Sequence, residues 1–215
     1  MARQQRGIRT RRTILEAAGA VFDEHGYSST TIAMVLERAD VTKGALYFHF
    51  PSKESLARAV LAERPPLEAV PARPCKLQEM VDVTFVLARR LLDDPLLKGG
   101  VRLAVDQCAP QSVDHAGLFR RWADHLLWLL RQAREQGELL PSVNPRETVE
   151  MLVGSLAGIQ LMSRALTDRA DLAHRISVLW SHVLPSIAVP GLLPRIDTAA
   201  DRGSRITNGL DRPGT

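Results

Sequence analysis

Residues 30–53 read TTIAMVLERADVTKGALYFHFPSK, and their reading decides the fold. Thr30 and Thr31 are good helix N-caps, because a hydroxyl oxygen can accept from the free amides of a first turn. Behind them Ile32, Val35, Leu36 and Ala39 recur at helical spacing until Asp40 and Val41 break the run. Thr42 then caps a second short helix over 43–49, with Ala45, Leu46 and Phe48 expected to face inward. Pro51 ends that helix, since proline lacks an amide hydrogen and disfavours helical geometry in the residue before it. Ser52 can cap the next one. A helix, a tight turn and a second helix form the arrangement that lays a recognition helix in the DNA major groove.

The outer face of the second helix carries Thr42, Lys43, Gly44, Tyr47 and His49, all polar, small or amphipathic. Gly44 costs a helix about 1 kcal/mol relative to alanine. A glycine there makes sense where another backbone, such as a phosphodiester, must come close. An ordinary surface helix could carry the same residue types, so the pattern alone leaves both readings open. The ungapped string over 42–56, TKGALYFHFPSKESL, resembles the DNA-binding signature of TetR-family transcriptional regulators. That resemblance implies an all-α protein: an N-terminal three-helix helix-turn-helix DNA-binding domain, and a larger helical domain that binds a ligand and dimerises.

Working outward, a first helix is expected over 10–25, with Ile14, Leu15, Ala18, Val21 and Phe22 as its apolar stripe and Gly26 as its stop. Before it, Arg3, Arg6, Arg9, Arg11 and Arg12 stand in residues 1–13 without an acid. A basic arm beside a helix-turn-helix reads as a phosphate or minor-groove contact, though a solvated tail has the same composition. After the motif, 52–64 forms an amphipathic helix. Lys53 stands at its N-terminus, where its charge and the helix dipole favour a phosphate. The expected DNA-binding set is Arg3, Arg6, Thr31, Thr42, Lys43, Gly44, Tyr47, His49 and Lys53.

Residues 64–74, RPPLEAVPARP, hold four prolines and cannot be regular helix. The domain boundary is placed there: 1–64 for DNA binding, 65–190 for effector binding and dimerisation, and 191–215 as a disordered tail. Helical periodicity returns over 77–92, 96–107, 114–136, 146–166 and 172–187, with 109–117 as a loop. The last two long helices are apolar around most of their circumference and must be buried on more than one side. In the TetR family such helices pair with those of a second subunit. A homodimer also suits DNA recognition, since one head covers only a half-site.

The strings ALYFHFPSKESLA (45–57) and GVRL (100–103), and Trp122 followed by QAREQGEL (132–139), resemble a narrower group, the γ-butyrolactone autoregulator receptors of antibiotic-producing bacteria. In those receptors the tryptophan matching Trp122 lies over the bound signal molecule. The resemblance implies an effector site drawn from Phe85, Val101, Ala104, Trp122, Leu126 and Gln160. Trp122 offers a large apolar face and one indole donor. Gln160, polar on an apolar helix, needs a hydrogen-bond partner. The ligand, a core amide or the dimer interface could each supply it. Ala104 and Pro65 stand where some furan-binding relatives offer polar groups.

The 215 residues carry a net charge of +4 and 45% hydrophobic residues, enough for a substantial core. Cys75 and Cys108 have no ligand spacing, so neither a disulfide framework nor a metal site is expected, and no cofactor. His25, His49, His115, His125, His174 and His182 are scattered, and no catalytic motif occurs, so the chain is not expected to be an enzyme. No apolar run approaches the ~20 residues of a membrane span, and the N-terminus lacks a signal-peptide pattern. A cytoplasmic location with no membrane partner is expected. The expected partners are double-stranded operator DNA, a small γ-butyrolactone-type effector and a second copy of the chain. The expected function is a ligand-released repressor of antibiotic or secondary-metabolite genes. Two alternatives stay open: a pseudo-receptor answering to an antibiotic or pathway intermediate, and a ligand-binding module without operator binding.

Overall fold

Side-chain caps set most of the helix starts in the computed structural model, which describes residues 2–63, 70–106, 108 and 112–209, with side chains from residue 4. In order the helices are α1 (Ala2–Ser29), α2 (Ile32–Ala39), α3 (Lys43–His49), α4 (Lys53–Ala62), α5 (Lys76–Asp93), α6 (Pro95–Ala104), α7 (Ala116–Glu135), α8 (Pro145–Thr167), α9 (Leu172–Ile187), a 3-10 turn (Pro190–Arg195) and α10 (Arg202–Thr207). Among the described residues there is no strand, only an isolated bridge between Leu139 and Ala188. Thr31, Thr42 and Ser52 each accept from the third amide of the helix they open. Asp94 accepts from the Leu96 and Leu97 amides, and Asn144 from that of Arg146, to open helices whose first residue is proline.

Two compact units result, one from residues 1–65 and 93–120, the other from 66–92 and 121–215. The expected cut at 64/65 falls outside the described residues, as does Pro65. To the N-terminal part the structure adds α6, which the sequence reading had placed with the effector domain. In the first unit, Ile14, Leu15, Val21 and Phe22 of α1 bury against Val35, Leu46, Phe50, Leu56 and Val60, with Leu96 and Leu103 contributed by α6. Helices α1 and α6 meet backbone to backbone. A Cβ added at Gly99 would stand 2.4 Å from the Gly19 carbonyl oxygen, and one at Gly19 would stand 2.6 Å from that of Pro95. Gly19 and Gly99 are thus the packing surface between the two helices.

Two local expectations are corrected here. Phe48, expected inward, is 84% exposed, while Phe50 is buried. Leu46 and Phe50 are four residues apart on one face, and Phe48 lies about 200° round the helix from Leu46. The arginine arm is helical from Ala2, continuous with α1. Gly26, expected to stop the first helix, does interrupt it: its φ of 69° and ψ of −179° are non-helical, and a short helical turn over 27–29 follows across the kink. The amide beyond the kink, that of Tyr27, donates to Asp106 Oδ2 at 2.7 Å.

The second unit is built around Trp180, fully buried, whose indole donates to Thr84 Oγ1 at 2.9 Å. The Glu138 carboxylate caps α5 by accepting from the amides of Lys76 (2.9 Å) and Leu77 (2.8 Å). The expected disordered tail at 191–215 is corrected over 191–209, which forms the 3-10 turn and α10. An ionic cluster holds it: Arg202 pairs with Asp82 of α5 and with Asp197, and Arg205 pairs with Asp197 and Asp201. The expectation about apolar runs is corrected too, because α8 is long and apolar enough, by length and composition alone, to cross a membrane.

Candidate functional site

The helix-turn-helix presents its polar groups as a built surface. Residues Thr42, Lys43, Gly44, Tyr47 and Phe48 of the cap and recognition helix α3 are exposed. The Lys43 ammonium sits 5.9 Å from the Tyr47 ring centroid, which orders both side chains on one face. A Cβ at Gly44 would meet nothing within 4 Å, so no protein atom dictates that glycine. The Thr31 and Thr42 hydroxyl oxygens accept from Met34 and Ala45 amides, and each hydroxyl keeps its own proton to donate. His49 is half-buried, its ring edge-on to Phe48 at 5.0 Å. Arg6 is exposed. The Arg3 side chain lies outside the described residues.

Lys53 is placed differently from the expectation. Its ammonium donates to the Tyr27 and Thr30 carbonyl oxygens, both at 2.9 Å, with Ser28 at 3.4 Å, and lies 4.4 Å from the Tyr27 ring centroid. A cation at a helix C-terminus satisfies carbonyls that have no intrahelical partner and answers the negative end of the dipole. Lys53 is therefore the C-terminal cap of α1. Its donors tie the start of α4 to the end of α1 and to Thr30 ahead of α2.

The second site is an apolar cavity of about 10 Å³ in the second unit, lined by Val83, Thr84 and Leu87 of α5, Trp122, His125 and Leu126 of α7, and Val153 and Leu156 of α8. Of the six expected effector residues, Trp122 and Leu126 line it. Phe85 is buried but not part of the lining, its carbonyl facing Gly203 of α10. Gln160 is also buried and outside the lining, and its Oε1 has no hydrogen-bond partner among the described residues. Val101 and Ala104 sit on α6, in the other compact unit. The sequence reading missed His125, although it follows Trp122 by one helical turn and precedes Leu126. Its ring stacks on Trp128 at 6.2 Å, and its buried Nε2 has no partner among the described residues. Burial pushes its pKa down, against an opposing pull from Glu79, so the imidazole is neutral at neutral pH. No group of three or more His, Cys, Asp or Glu among the described residues could hold a metal ion.

This architecture has known counterparts. Residues 14–60 match the family model described as bacterial regulatory proteins of the tetR family, and residues 75–191 match the tetracyclin repressor-like C-terminal domain. The chain belongs to the TetR family. It is 38% identical to the A-factor receptor protein of Streptomyces griseus over 91% of this chain and 70% of that one. The solved structure of TylP, a TetR regulator from Streptomyces fradiae, is 45% identical, covers 96% of this chain and 100% of its own, and superposes with a TM-score of 0.83. That of a γ-butyrolactone receptor (ArpA-like protein) is 27% identical, covers 95% and 99%, and gives 0.72. As a TetR-family protein the chain is a ligand-responsive transcriptional regulator that binds operator DNA, and it is not an enzyme.

Proposed function

We propose that the chain is a homodimeric cytoplasmic repressor, released from its operator by a small γ-butyrolactone-type signal and controlling antibiotic or secondary-metabolite genes. The observation that carries this reading is the Trp122 cavity. Its lining is aliphatic and aromatic, with Thr84 and His125 the two polar residues, a chemistry suited to a short alkyl chain ending in a lactone. The names of two relatives, an A-factor receptor and a γ-butyrolactone receptor, agree with it. On the DNA side, Thr42, Lys43, Gly44 and Tyr47 would meet the operator, with Thr31, His49, Arg6 and Arg3 on the backbone.

The dimer is supported by the unpartnered apolar surface of the last long helices. Met151, Leu161, Met162 and Leu166 of α8 and Val178 of α9 are all large and exposed. Such a face on a helix needs a partner, and in an operator-binding regulator the partner of matching symmetry is a second copy. The same burial accounts for α8 being apolar enough to resemble a membrane span.

The test is a gel shift with the protein's own upstream DNA, repeated with a synthetic 2-acyl-γ-butyrolactone and with the antibiotic whose genes lie nearby. Release by the lactone is the expected result. Release by the antibiotic alone would replace the effector assignment with a pseudo-receptor. Failure to bind DNA at low salt would end the repressor reading altogether.

A further inference from the structure

The cavity is small. Its 10 Å³ is room for about one water, against roughly several hundred Å³ for a pocket that holds a small ligand. Some wall must therefore yield when a ligand enters, and α5 is the wall whose reverse side is fastened in an unusual way. Val83, Thr84 and Leu87 line the cavity. The residues of α5 that meet the C-terminal segment are Gln78, Asp82, Phe85 and Arg89, spaced four, three and four apart. At 3.6 residues per turn the two sets point in directions about 180° apart. Helix α5 thus stands between the cavity and residues 197–207.

The fastening is geometric more than adhesive. The Gln78 amide exchanges hydrogen bonds with the Asp197 backbone, donating to its carbonyl at 3.1 Å and accepting from its N–H at 2.7 Å. Asp82, fully buried, accepts from Arg202, itself 4% exposed. A buried ion pair adds little net stability against desolvation but fixes one arrangement of the parts it joins. Gly203 lies so close to α5 that an added Cβ would stand 2.3 Å from the Phe85 carbonyl oxygen. Asp82 is shared with Arg73, which donates at 2.8 Å and stands near the end of the proline-rich connection.

We propose that the C-terminal strap is the backstop of the effector cavity: Arg202, acting through Asp82, and Gly203, acting on the α5 backbone at Phe85, position the cavity-lining face of α5 and keep the cavity small until a ligand displaces it. This rests on the reading that the Trp122 cavity is the effector site. A ligand then binds only the fraction of molecules with α5 displaced, and its apparent affinity is reduced by that fraction. Loosening the strap raises the fraction and tightens binding. A merely structural strap would do the reverse, lowering stability with affinity unchanged or weaker.

The probe is N-phenyl-1-naphthylamine, an uncharged apolar fluorophore, titrated against the full chain, Gly203→Leu and Arg202→Met. Gly203→Leu forces the strap off α5, whereas Arg202→Met keeps an unbranched apolar stem and leaves Asp82 paired with Arg73, so it folds even where the wedge does not. Both are expected to bind the probe about tenfold more tightly while retaining operator binding, and the gain should vanish when Leu156→Trp fills the cavity. Affinities within about twofold of the parent in Arg202→Met would overturn the proposal, as would a gain that survives the filled cavity. If the parent is not released from its operator by the butyrolactone, the effector assignment fails, and the fluorophore comparison still decides the strap.

Discussion

The two ends of the chain are both rich in arginine, and the fold treats them oppositely. Residues 1–13 hold five arginines and no acid, whereas residues 195–207 interleave Arg195, Arg202 and Arg205 with Asp197 and Asp201. At the C-terminal end the guanidinium groups of Arg202 and Arg205 are neutralised inside the unit, by Asp82, Asp197 and Asp201. At the N-terminal end Arg11 lies over the Phe50 ring at 5.1 Å and Arg12 pairs with Glu16 and Glu63, while Arg6 and Arg9 are exposed. Arginine density therefore does not distinguish a tail from a strap. What matters is whether carboxylates lie within reach in the folded chain. An end that lacks them keeps its charge for an external anion, and DNA phosphates are the matching one.

Removing the carboxylate at the centre of the strap is the severest way to break this contrast. Asp82→Ala leaves Arg73 and Arg202 without their shared partner in a buried position, at an expected cost of about 3–5 kcal/mol. All three tryptophans, Trp122, Trp128 and Trp180, fall in the second unit. Urea denaturation followed by their fluorescence reports on that unit directly. A loss under about 1 kcal/mol would mean that the cluster is not what holds the C-terminal end.

Lys53 sharpens the contrast, because sequence alone assigns it to the phosphate-binding class and the structure to the internally satisfied one. Lys53→Met removes charge-assisted hydrogen bonds to the Tyr27 and Thr30 carbonyls and should destabilise the first unit by about 1–2 kcal/mol. Operator affinity should fall with it, while the slope of log affinity against log salt stays the same. A slope reduced by about one would return Lys53 to a phosphate. Arg6→Ala and Arg9→Ala should behave the other way, each leaving the melting temperature unchanged and lowering the salt slope by about one where it meets a phosphate. Slopes that do not move in either variant would place the arm off the DNA.

Much of this was legible in the sequence, and the gaps have physical reasons. Local signals gave the helix-turn-helix: Thr31 and Thr42 cap where a hydroxyl precedes a helical run, and Pro51 ends α3 through its own covalent geometry. Trp122 and Leu126 were expected to share one site, and they line one cavity. What failed depended on contacts distant in sequence. Nothing near Lys53 shows that carbonyls more than twenty residues away will claim its ammonium. Nothing in 191–209 shows that Asp82, 120 residues from Arg202, will bury that arginine. Gly99 looks like a helix breaker until Gly19 is seen lying against it. His125 was the avoidable omission, since its spacing from Trp122 was in view.

Acid separates the two ends most gently. Asp197 is subject to burial, which raises its pKa, but the hydrogen bonds from the Ala199 amide, Arg205 and Arg202 outweigh that and hold it below the usual carboxylate range. A depressed folded pKa means that the stabilisation is fully present above the unfolded value, about 3.9, and is lost as pH falls through the lower folded value. As pH falls below about 4, α10 should therefore loosen, because Arg202 and Arg205 lose their shared carboxylate. The arm has no acid in residues 1–13 to protonate, and arginine stays charged throughout. Hydrogen exchange corrected for intrinsic rates should show protection falling at residues 202–207 over this range, with residues 4–12 unaffected. Equal loss at both ends would mean that acid is unfolding the whole chain, and that Asp197 contributes nothing particular to the strap.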